Sequence, residues 1–341
     1  MTPFDDLTGS GPAPSDRFGG HPGDNDHSYR WGRHIRRVTR LPFVDEDRLC
    51  HPASMTLRSV AAAGLRRLPP QARLRLLHGL GRFAPWEAGF DFTPPDLEPG
   101  EETGPPDFVG IGVQKAGTTW WYRLLASHPD VSTRPGIHKE RHFLSRFGTD
   151  SFGPAEIEAY HGWFPRRPGT LAGEWTPDYL DFPWVPPLLA VAAPEARLLL
   201  MVRDPVERFR SGLAHQRRHR GSITGATVVD AVTRGFYHRA LTQWSAHIDP
   251  ERLLVLQYER CTEDPASQLA RCYRFLGLDD DFVPADLHRP VGPTTEGKVH
   301  IAADALRRLV EAYRPDVDAL ATQFAELDLA LWPNFAPRPI T

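Results

Sequence analysis

Three short runs of apolar residues, each followed by a stretch with helical spacing, constrain the fold of this chain most strongly. They are FVGIGV at residues 108–113, RLLLMVR at 197–203 and RLLVLQY at 252–258. Unbroken apolar character over so few residues is typical of strands that are covered on both faces. Strands that alternate with helices join through right-handed crossovers. The pattern therefore predicts an α/β fold of three layers, in which helices flank a central parallel sheet.

The stretches between the runs predict the helices that cover this sheet. We expect helices at residues 206–219, 226–247 and 263–276, where apolar residues recur at helical spacing. Another helical stretch, WWYRLLASH from residue 120, follows the first run after a loop that contains glycine. The first run, this loop and the helix behind it form a strand-loop-helix unit.

The first hundred residues differ in composition from the rest of the chain. Residues 1–30 are rich in Gly, Pro, Asp and Ser, which bury too little apolar surface to offset the entropy of ordering. Residues 55–84 predict two short amphipathic helices interrupted by a Pro-Pro pair, and the proline-rich acidic stretch 92–107 predicts a boundary. We therefore expect a disordered extension over 1–30, a helical or irregular extension and linker over 31–106, and one domain over 107–341.

The charge and composition of the 341-residue chain narrow the choice of partners. A net charge of −3 at pH 7 gives no argument for binding nucleic acid or an anionic membrane. No apolar run approaches the ~18 residues that a membrane-spanning helix requires, and the acidic start lacks the pattern of a signal peptide. The 3 cysteines have no metal-ligand spacing, and their odd number argues against a complete disulfide framework. We therefore expect a cytoplasmic protein without an integral membrane segment.

The loop of the strand-loop-helix unit has the composition of an anion-binding site. It reads QKAGTT over residues 114–119. In an ATP-type P-loop the lysine follows the last glycine, whereas here Lys115 precedes Gly117 by two positions. The glycine permits close approach, Thr118 and Thr119 supply hydroxyl and N–H groups, and the helix dipole favours negative charge. The spacing therefore predicts a phosphate-binding loop of another kind.

This loop resembles that of the sulfotransferases that use 3′-phosphoadenosine 5′-phosphosulfate (PAPS). Their 5′-phosphosulfate loop carries a K-x-G-T-T element between a strand and a helix. The likeness extends to the heparan-sulfate and bacterial branch, in which L-x-x-H-P follows, matched here by His128-Pro129. The resemblance covers residues 107–332 and implies a P-loop-type fold, PAPS as co-substrate, 3′,5′-ADP as product, and no metal.

A second element matches the family's site for the 3′-phosphate of PAPS. In the family a strand ends in R-[DN]-P, and a serine lies eight residues after that arginine. Arg203 and Ser211 match in identity and in spacing (211 − 203 = 8). An arginine at the carboxyl end of a strand can fork onto a phosphate, and a serine on the next helix can add a hydroxyl. The resemblance therefore implies that both residues bind the 3′-phosphate.

A weaker match lies further along the chain. The stretch EGKVH at residues 296–300 resembles the family's K-G-R-x-H loop, which closes over PAPS. Gly297, Lys298 and His300 align with that loop, but Glu296 stands where the family has its first lysine. The resemblance implies that the three aligned residues also contact PAPS, with fewer cations than is usual.

The resemblance also implies the catalytic groups. Sulfuryl transfer needs a base for the acceptor's proton and positive charge on the leaving phosphate, and Lys115 is the candidate for that charge. The stretch KERHF at 139–143 resembles the branch's K-E-x-H-F, in which the glutamate is the base; Glu140 and His142 match. A rival assignment stays open, because cytosolic sulfotransferases use histidine. His142 or His138 would then be the base, and Glu140 would orient it.

One departure from the family concerns the acceptor side of the site. GEWTPDYL at 173–180 resembles E-K-T-P-x-Y, whose lysine points into the active site, but this chain has Trp175 there. Either Lys139 or Arg141 supplies the cation, or the pocket suits an aromatic or apolar acceptor. Lys139 and Trp175 are therefore candidates for the substrate site, with core packing as the alternative for the tryptophan.

A basic cluster, HQRRHR at residues 215–220, ends the helix that carries Ser211. Such a cluster either guides an anionic acceptor or is a solvated helix end, and we favour the second interpretation.

Two hypotheses for the function follow from these motifs. The first is transfer of the sulfuryl group from PAPS to a hydroxyl of a small-molecule, glycoside, glycan or lipid acceptor, with Glu140 as the base. The alternative is a non-catalytic sensor or scaffold that binds PAPS or 3′,5′-ADP on the same fold, because Trp175 and Glu296 depart from the family pattern. The motifs do not indicate an oligomeric state.

Overall fold

The computed structural model of the chain describes residues 94–134, 138–148, 151–288 and 299–336. The disorder predicted for residues 1–30, the helices predicted for 55–84 and the contacts predicted for Gly297 and Lys298 lie outside these ranges.

The centre of the fold is a parallel sheet of four strands. The strands are β1 (Phe108–Gly112), β2 (Gly173–Trp175), β3 (Arg197–Val202) and β4 (Leu253–Gln257). Their order across the sheet is β2-β1-β3-β4, and every neighbouring pair is parallel. The three apolar runs of the sequence are thus strands, and the predicted three-layer α/β fold with a central parallel sheet is confirmed.

Strand β2 was not predicted from the sequence. It has only three residues, so it shows neither alternation nor an apolar run. It forms because it pairs with β1 at the edge of the sheet, with Phe108 opposite Gly173 and Gly110 opposite Trp175.

Helices flank the sheet on both sides. Within the described ranges they are α1 (Thr118–Leu125), α2 (Pro154–His161), α3 (Val185–Ala192), α4 (Pro205–Arg220), α5 (Gly225–Thr233), α6 (Tyr237–Trp244), α7 (Tyr258–Glu263), α8 (Pro265–Leu276) and α9 (Ala303–Gln323). None of them is long and apolar enough to cross a lipid bilayer.

The single helix predicted over residues 226–247 is wrong, because the chain forms α5 and α6 there. The break lies at Gly235, where an added Cβ would come within 2.5 Å of the ring of Tyr313 on α9. The carboxylate of Asp316, also on α9, then accepts hydrogen bonds from the backbone N–H groups of His238 and Arg239, at 3.0 and 2.8 Å. A helix distant in sequence therefore fixes where α6 begins, which the local pattern does not reveal.

The predicted boundary at residues 92–107 is bonded to the domain over its described part. Glu102 and Arg166 exchange two backbone hydrogen bonds of 2.9 Å, and the guanidinium of Arg134 lies 2.8 Å from the carboxylate of Glu98. Residues 94–107 therefore pack on the domain that follows them, and the division into three parts stays a prediction.

The contact between β1 and β2 requires a glycine. A Cβ on Gly110 would lie 2.1 Å from the indole ring of Trp175, which is fully buried. We predict that Gly110→Ala lowers the free energy of unfolding by about 3 kcal/mol, the upper end of the usual cost of overpacking. Urea denaturation measures this loss. Gly225→Ala is the matched control, since no atom lies within 4 Å of the added methyl group; equal stability of the two variants would contradict the packing argument.

Candidate active site

The loop between β1 and α1 brings a cation and free backbone N–H groups to the carboxyl end of the sheet. Gly117 precedes α1 in a left-handed conformation, with φ 89°, and no side chain caps the first turn. An added Cβ at Gly117 would also lie 2.7 Å from the ring of Tyr258. The position therefore needs glycine for two reasons, and the uncapped N–H groups of α1 are available to an anion.

The residues around this glycine differ in exposure. Lys115 is half-buried and has φ 72°, a conformation that side chains rarely adopt outside functional sites. Thr118 is buried, whereas Thr119 is exposed. The two threonines that the sequence motif groups together therefore face different surroundings.

Arg203 lies directly beside this loop. It follows β3, and because β1 and β3 are paired in parallel, the loops after both strands meet at the same edge. Its Nη1 donates a hydrogen bond of 3.2 Å to the carbonyl of Lys115, and its guanidinium carbon lies 4.5 Å above the ring of Tyr258. The Nε atom is buried and has no hydrogen-bond partner among the described residues, as expected of a donor that binds an anion.

Ser211 lies on α4, about two turns after Arg203, and its side chain is half-buried. His215 is one helical turn further along the same helix, and its Nδ1 lies 3.4 Å from the Nζ of Lys115. The interpretation of residues 215–220 as a solvated helix end therefore missed His215. The i, i+4 spacing from Ser211 is the signal that would have placed it on the same face.

The second half of the site is a row of alternating charges. The Nζ of Lys139 lies 2.5 Å from one oxygen of Glu140, and the Nε2 of His142 lies 3.4 Å from the other. The Nδ1 of His142 lies 3.2 Å from one carboxylate oxygen of Asp178, and the other oxygen accepts a hydrogen bond of 3.3 Å from Ser145. The imidazole therefore lies between two carboxylates, and no sequence motif identified Asp178.

The contacts in this row lower the pKa of Glu140 and raise the pKa of His142. Burial alone would raise the pKa of Glu140, but the hydrogen bond from His142 and the charge of Lys139 outweigh it and lower this pKa to about 2. Burial alone would lower the pKa of His142, but the carboxylates of Asp178 and Glu140 outweigh it and raise this pKa to about 10. At neutral pH, Glu140 is thus a carboxylate and His142 an imidazolium.

Electrostatics also link this row to the loop between β1 and α1. Burial and the positive charges of Arg218 and Arg203 lower the pKa of Lys115, while the charge of Glu140 acts in the opposite direction. Lys115 therefore lies within the electrostatic reach of both Glu140 and Arg203.

A buried carboxylate holds the row in place. Glu174 is fully buried, and it accepts hydrogen bonds from the hydroxyls of Thr176, Tyr160 and Tyr179 at 2.6, 2.7 and 3.1 Å. It also accepts one of 3.2 Å from the backbone N–H of Arg141, the residue between Glu140 and His142. Burial raises the pKa of Glu174. No role for Glu174 could be predicted from the sequence, because its partners come from three separate segments.

Trp175 does not line an open pocket. Its indole is fully buried, and its Nε1 donates a hydrogen bond of 3.0 Å to the carbonyl of Gly112. The core-packing alternative therefore describes its position. The Nζ of Lys139 lies 3.3 Å from the carbonyl of Trp175, which places a cation beside the position of the family's lysine. Arg141 points elsewhere, with its guanidinium 5.7 Å from the ring centres of Trp163 and Phe164.

Two of the remaining candidates are exposed. His138 lies on the surface, where its carbonyl accepts a hydrogen bond from Arg141. His300 lies on the surface shortly before α9, as expected of a loop that precedes a helix.

Known proteins with sequences similar to this chain include sulfotransferases. A model described as the Sulfotransferase family matches residues 176–282. Heparan sulfate glucosamine 3-O-sulfotransferase 3B1 of Homo sapiens is 28% identical over 247 residues, which cover 62% of this chain and 61% of that protein. Bifunctional heparan sulfate N-deacetylase/N-sulfotransferase 3 of Homo sapiens is 25% identical over 195 residues, covering 51% of this chain and 22% of that protein.

Over these regions the chain is similar to sulfotransferases. The resemblance identified from the sequence motifs is therefore confirmed. The matched region spans 61% of the length of the human 3-O-sulfotransferase.

A solved structure supports the sulfotransferase fold. The crystal structure of a sulfotransferase from Alicyclobacillus acidocaldarius aligns with a TM-score of 0.54 and 23% identity, covering 66% of this chain and 98% of that one. The P-loop-type α/β fold implied by the motifs is confirmed on this ground.

The contacts of His142 predict an unusual titration in this protein. Because its pKa is about 10 in the folded protein and ordinarily 6.5, its contribution to stability is complete below pH 6.5 and is lost as pH rises through 10. We predict that Asp178→Asn lowers the pKa of His142, measured by NMR from the pH dependence of the imidazole C–H shifts. Asp286→Asn, which removes a surface partner of Arg123, is the control and should leave this titration unchanged. An unchanged pKa in Asp178→Asn would refute the assignment.

Proposed function

We propose that this protein is an enzyme that transfers the sulfuryl group of PAPS to a hydroxyl group of an acceptor. The observation that carries the proposal is the contact between Arg203 and the loop of Lys115, with 3.2 Å between Nη1 and the carbonyl oxygen. PAPS carries anionic groups at both its 5′ and its 3′ side. Two cations held together at the carboxyl edge of a parallel sheet suit such a donor.

The donor set fits the two ends of PAPS. The uncapped N–H groups of α1 and the ammonium of Lys115 would hold the 5′-phosphosulfate. Arg203, whose buried Nε has no hydrogen-bond partner in the described part of the chain, and the hydroxyl of Ser211 would hold the 3′-phosphate. The contribution of Gly297, Lys298 and His300 to the covering loop stays a prediction from the resemblance.

Glu140 is the better of the rival bases. At neutral pH a histidine with a pKa of about 10 is already protonated, so His142 has no lone pair with which to take the acceptor's proton. Glu140 is ionised, and it lies next to the cation-rich half of the site. We therefore assign the base role to Glu140 and an orienting role to His142.

The low pKa of Glu140 affects when the acceptor's proton is transferred during the reaction. A carboxylate with a pKa of about 2 takes a proton from a free alcohol very poorly. The proton becomes acidic once the acceptor oxygen bonds to sulfur. We therefore propose a late transfer: the new O–S bond forms, the bond from sulfur to the 5′-phosphate oxygen breaks, and the proton passes to Glu140.

The leaving phosphate gains negative charge as its bond to sulfur breaks. Lys115 is the group placed to stabilise that charge, because the loop around Gly117 holds it at the 5′ side of the donor site. Burial, the largest influence on Lys115, lowers its pKa, which makes the ammonium a better proton donor to the departing oxygen.

The acceptor is proposed only as a class. By their names, one human relative sulfates the 3-O position of glucosamine in heparan sulfate, and the other sulfates nitrogen in heparan sulfate. In this chain Lys139 supplies positive charge on the acceptor side, 2.5 Å from Glu140. We propose an acceptor that presents a hydroxyl group beside Glu140: a small molecule, a glycoside, a glycan or a lipid.

Loss of the Lys115 or the Glu140 side chain tests the chemistry. We predict that Lys115→Ala and Glu140→Gln each lower the rate of sulfate transfer by about 10²–10³-fold, the usual cost of losing a stabilising charge or a base. The rate is measured with ³⁵S-labelled PAPS and a panel of hydroxylated acceptors. Arg274→Ala removes an exposed arginine paired with Asp280 and should keep full activity. Near-full activity of Lys115→Ala would disprove the mechanism, and tight 3′,5′-ADP binding without turnover on any acceptor would favour the sensor.

Loss of the Arg203 side chain tests the assignment of the 3′-phosphate site. We predict that Arg203→Ala weakens binding of 3′,5′-ADP by about tenfold or more, because a charged hydrogen-bond partner is lost. Binding of 5′-AMP should change little, since it lacks the 3′-phosphate. Isothermal titration calorimetry measures both. An equal loss of affinity for the two nucleotides would remove this assignment.

A further inference from the structure

The segment of residues 328–335 is bonded to the chain immediately behind Arg203. The backbone N–H and the side-chain amide of Asn334 both donate to the same oxygen of Asp204, at 3.1 and 2.9 Å. Asp204 is the residue that follows Arg203 and is fully buried. Two hydrogen bonds from a segment 130 residues away therefore end next to the arginine of the 3′-phosphate site.

The other oxygen of Asp204 is used by the helix that carries Ser211. It accepts hydrogen bonds from the backbone N–H groups of Val206 and Glu207, at 2.9 and 3.2 Å, and so caps the start of α4. One carboxylate thus joins the end of β3, the start of α4 and Asn334. A rotation of the Asp204 carboxylate would therefore displace Arg203 and α4 together.

A second connection runs through Glu259. The indole N–H of Trp332 donates to one of its carboxylate oxygens at 2.8 Å, and the backbone N–H of Asp204 donates to the other at 3.0 Å. The residue before Glu259 is Tyr258, whose ring lies 4.5 Å below the guanidinium of Arg203. The 328–335 segment therefore holds both the backbone next to Arg203 and the aromatic ring beneath its guanidinium.

The segment is itself well anchored. Gln257 and Asp328 exchange two hydrogen bonds, of 2.8 and 3.0 Å, which fix its start to the end of β4. The guanidinium of Arg314 donates to the carbonyl of Phe335 at 3.1 Å, which fixes its end to α9. A segment held at both ends can act as a support for Asp204 and Glu259.

We infer that Asn334 is a positioning residue: it holds Arg203 in the orientation that makes the site prefer nucleotides that carry a 3′-phosphate. The inference rests on the proposed function. Within the described ranges the guanidinium has one hydrogen bond, to the carbonyl of Lys115, and otherwise depends on the backbone at Asp204 and on the ring of Tyr258. A fork of two N–H donors binds a phosphate well only when both donors are correctly oriented.

The test compares two nucleotides on the full-length protein. We expect Asn334→Ala to weaken binding of 3′,5′-ADP by about tenfold, the scale of one hydrogen bond to a charged group, and binding of 5′-AMP by less than about twofold. Calorimetry gives both dissociation constants, and their ratio reports the 3′-phosphate site. Glu326→Gln is the control: it removes an ion pair with Arg271 just before the same segment, and it should leave the ratio unchanged.

A second variant tests the inference independently if Asn334→Ala fails to fold. Trp332→Phe keeps an aromatic ring but removes the N–H that Glu259 accepts, and it should reduce the ratio in the same direction. An unchanged ratio in both variants, or an equal loss for both nucleotides, would overturn the inference while the proposed function stands. A wild-type protein that binds 3′,5′-ADP no more tightly than 5′-AMP would overturn both.

Discussion

The parallel pairing of β1 with β3 is the constraint on which the site depends. The register places Gly112, the last residue of β1, opposite Leu200, so that both strands end at one edge of the sheet. Lys115 follows the first strand by three residues and Arg203 follows the second by one, which explains why the guanidinium reaches the carbonyl of Lys115. Neither loop needs to be long, because the sheet has already brought the two together. Any change that shifted this register would separate the two cations.

The charged half of the site is stable because its charges alternate. Lys139, Glu140, His142 and Asp178 form a row of positive, negative, positive and negative groups, with each neighbouring pair in contact. A half-buried charge without a partner would cost several kcal/mol, whereas paired charges offset much of this cost. The same pairing fixes protonation, since an imidazole between two carboxylates keeps its proton and Glu140 stays ionised. The proposed base is thus kept ready for its role by the groups that stabilise it.

Local pattern and tertiary contact explain what the sequence could and could not predict. The strands over 108–112, 197–202 and 253–257 were found because an apolar run is visible without its neighbours. Strand β2 was missed, and one helix was drawn through Gly235, because both depend on contacts with distant residues. Lys115 and Arg203 stand in motifs with fixed spacing. Asp178, the partner of His142, could not be found, because a buried carboxylate has no sequence pattern of its own.

The departure at Trp175 concerns the positive charge around Glu140. The position of the family's lysine carries an indole that packs in the core, but the Nζ of Lys139 lies 3.3 Å from the carbonyl of the same residue. The cation thus comes from the neighbouring segment, which is bonded to β2 through the carbonyl of Lys139, 2.8 Å from the backbone nitrogen of Trp175. The tryptophan at this position therefore leaves a cation beside Glu140, because Lys139 lies on the segment that is bonded to β2.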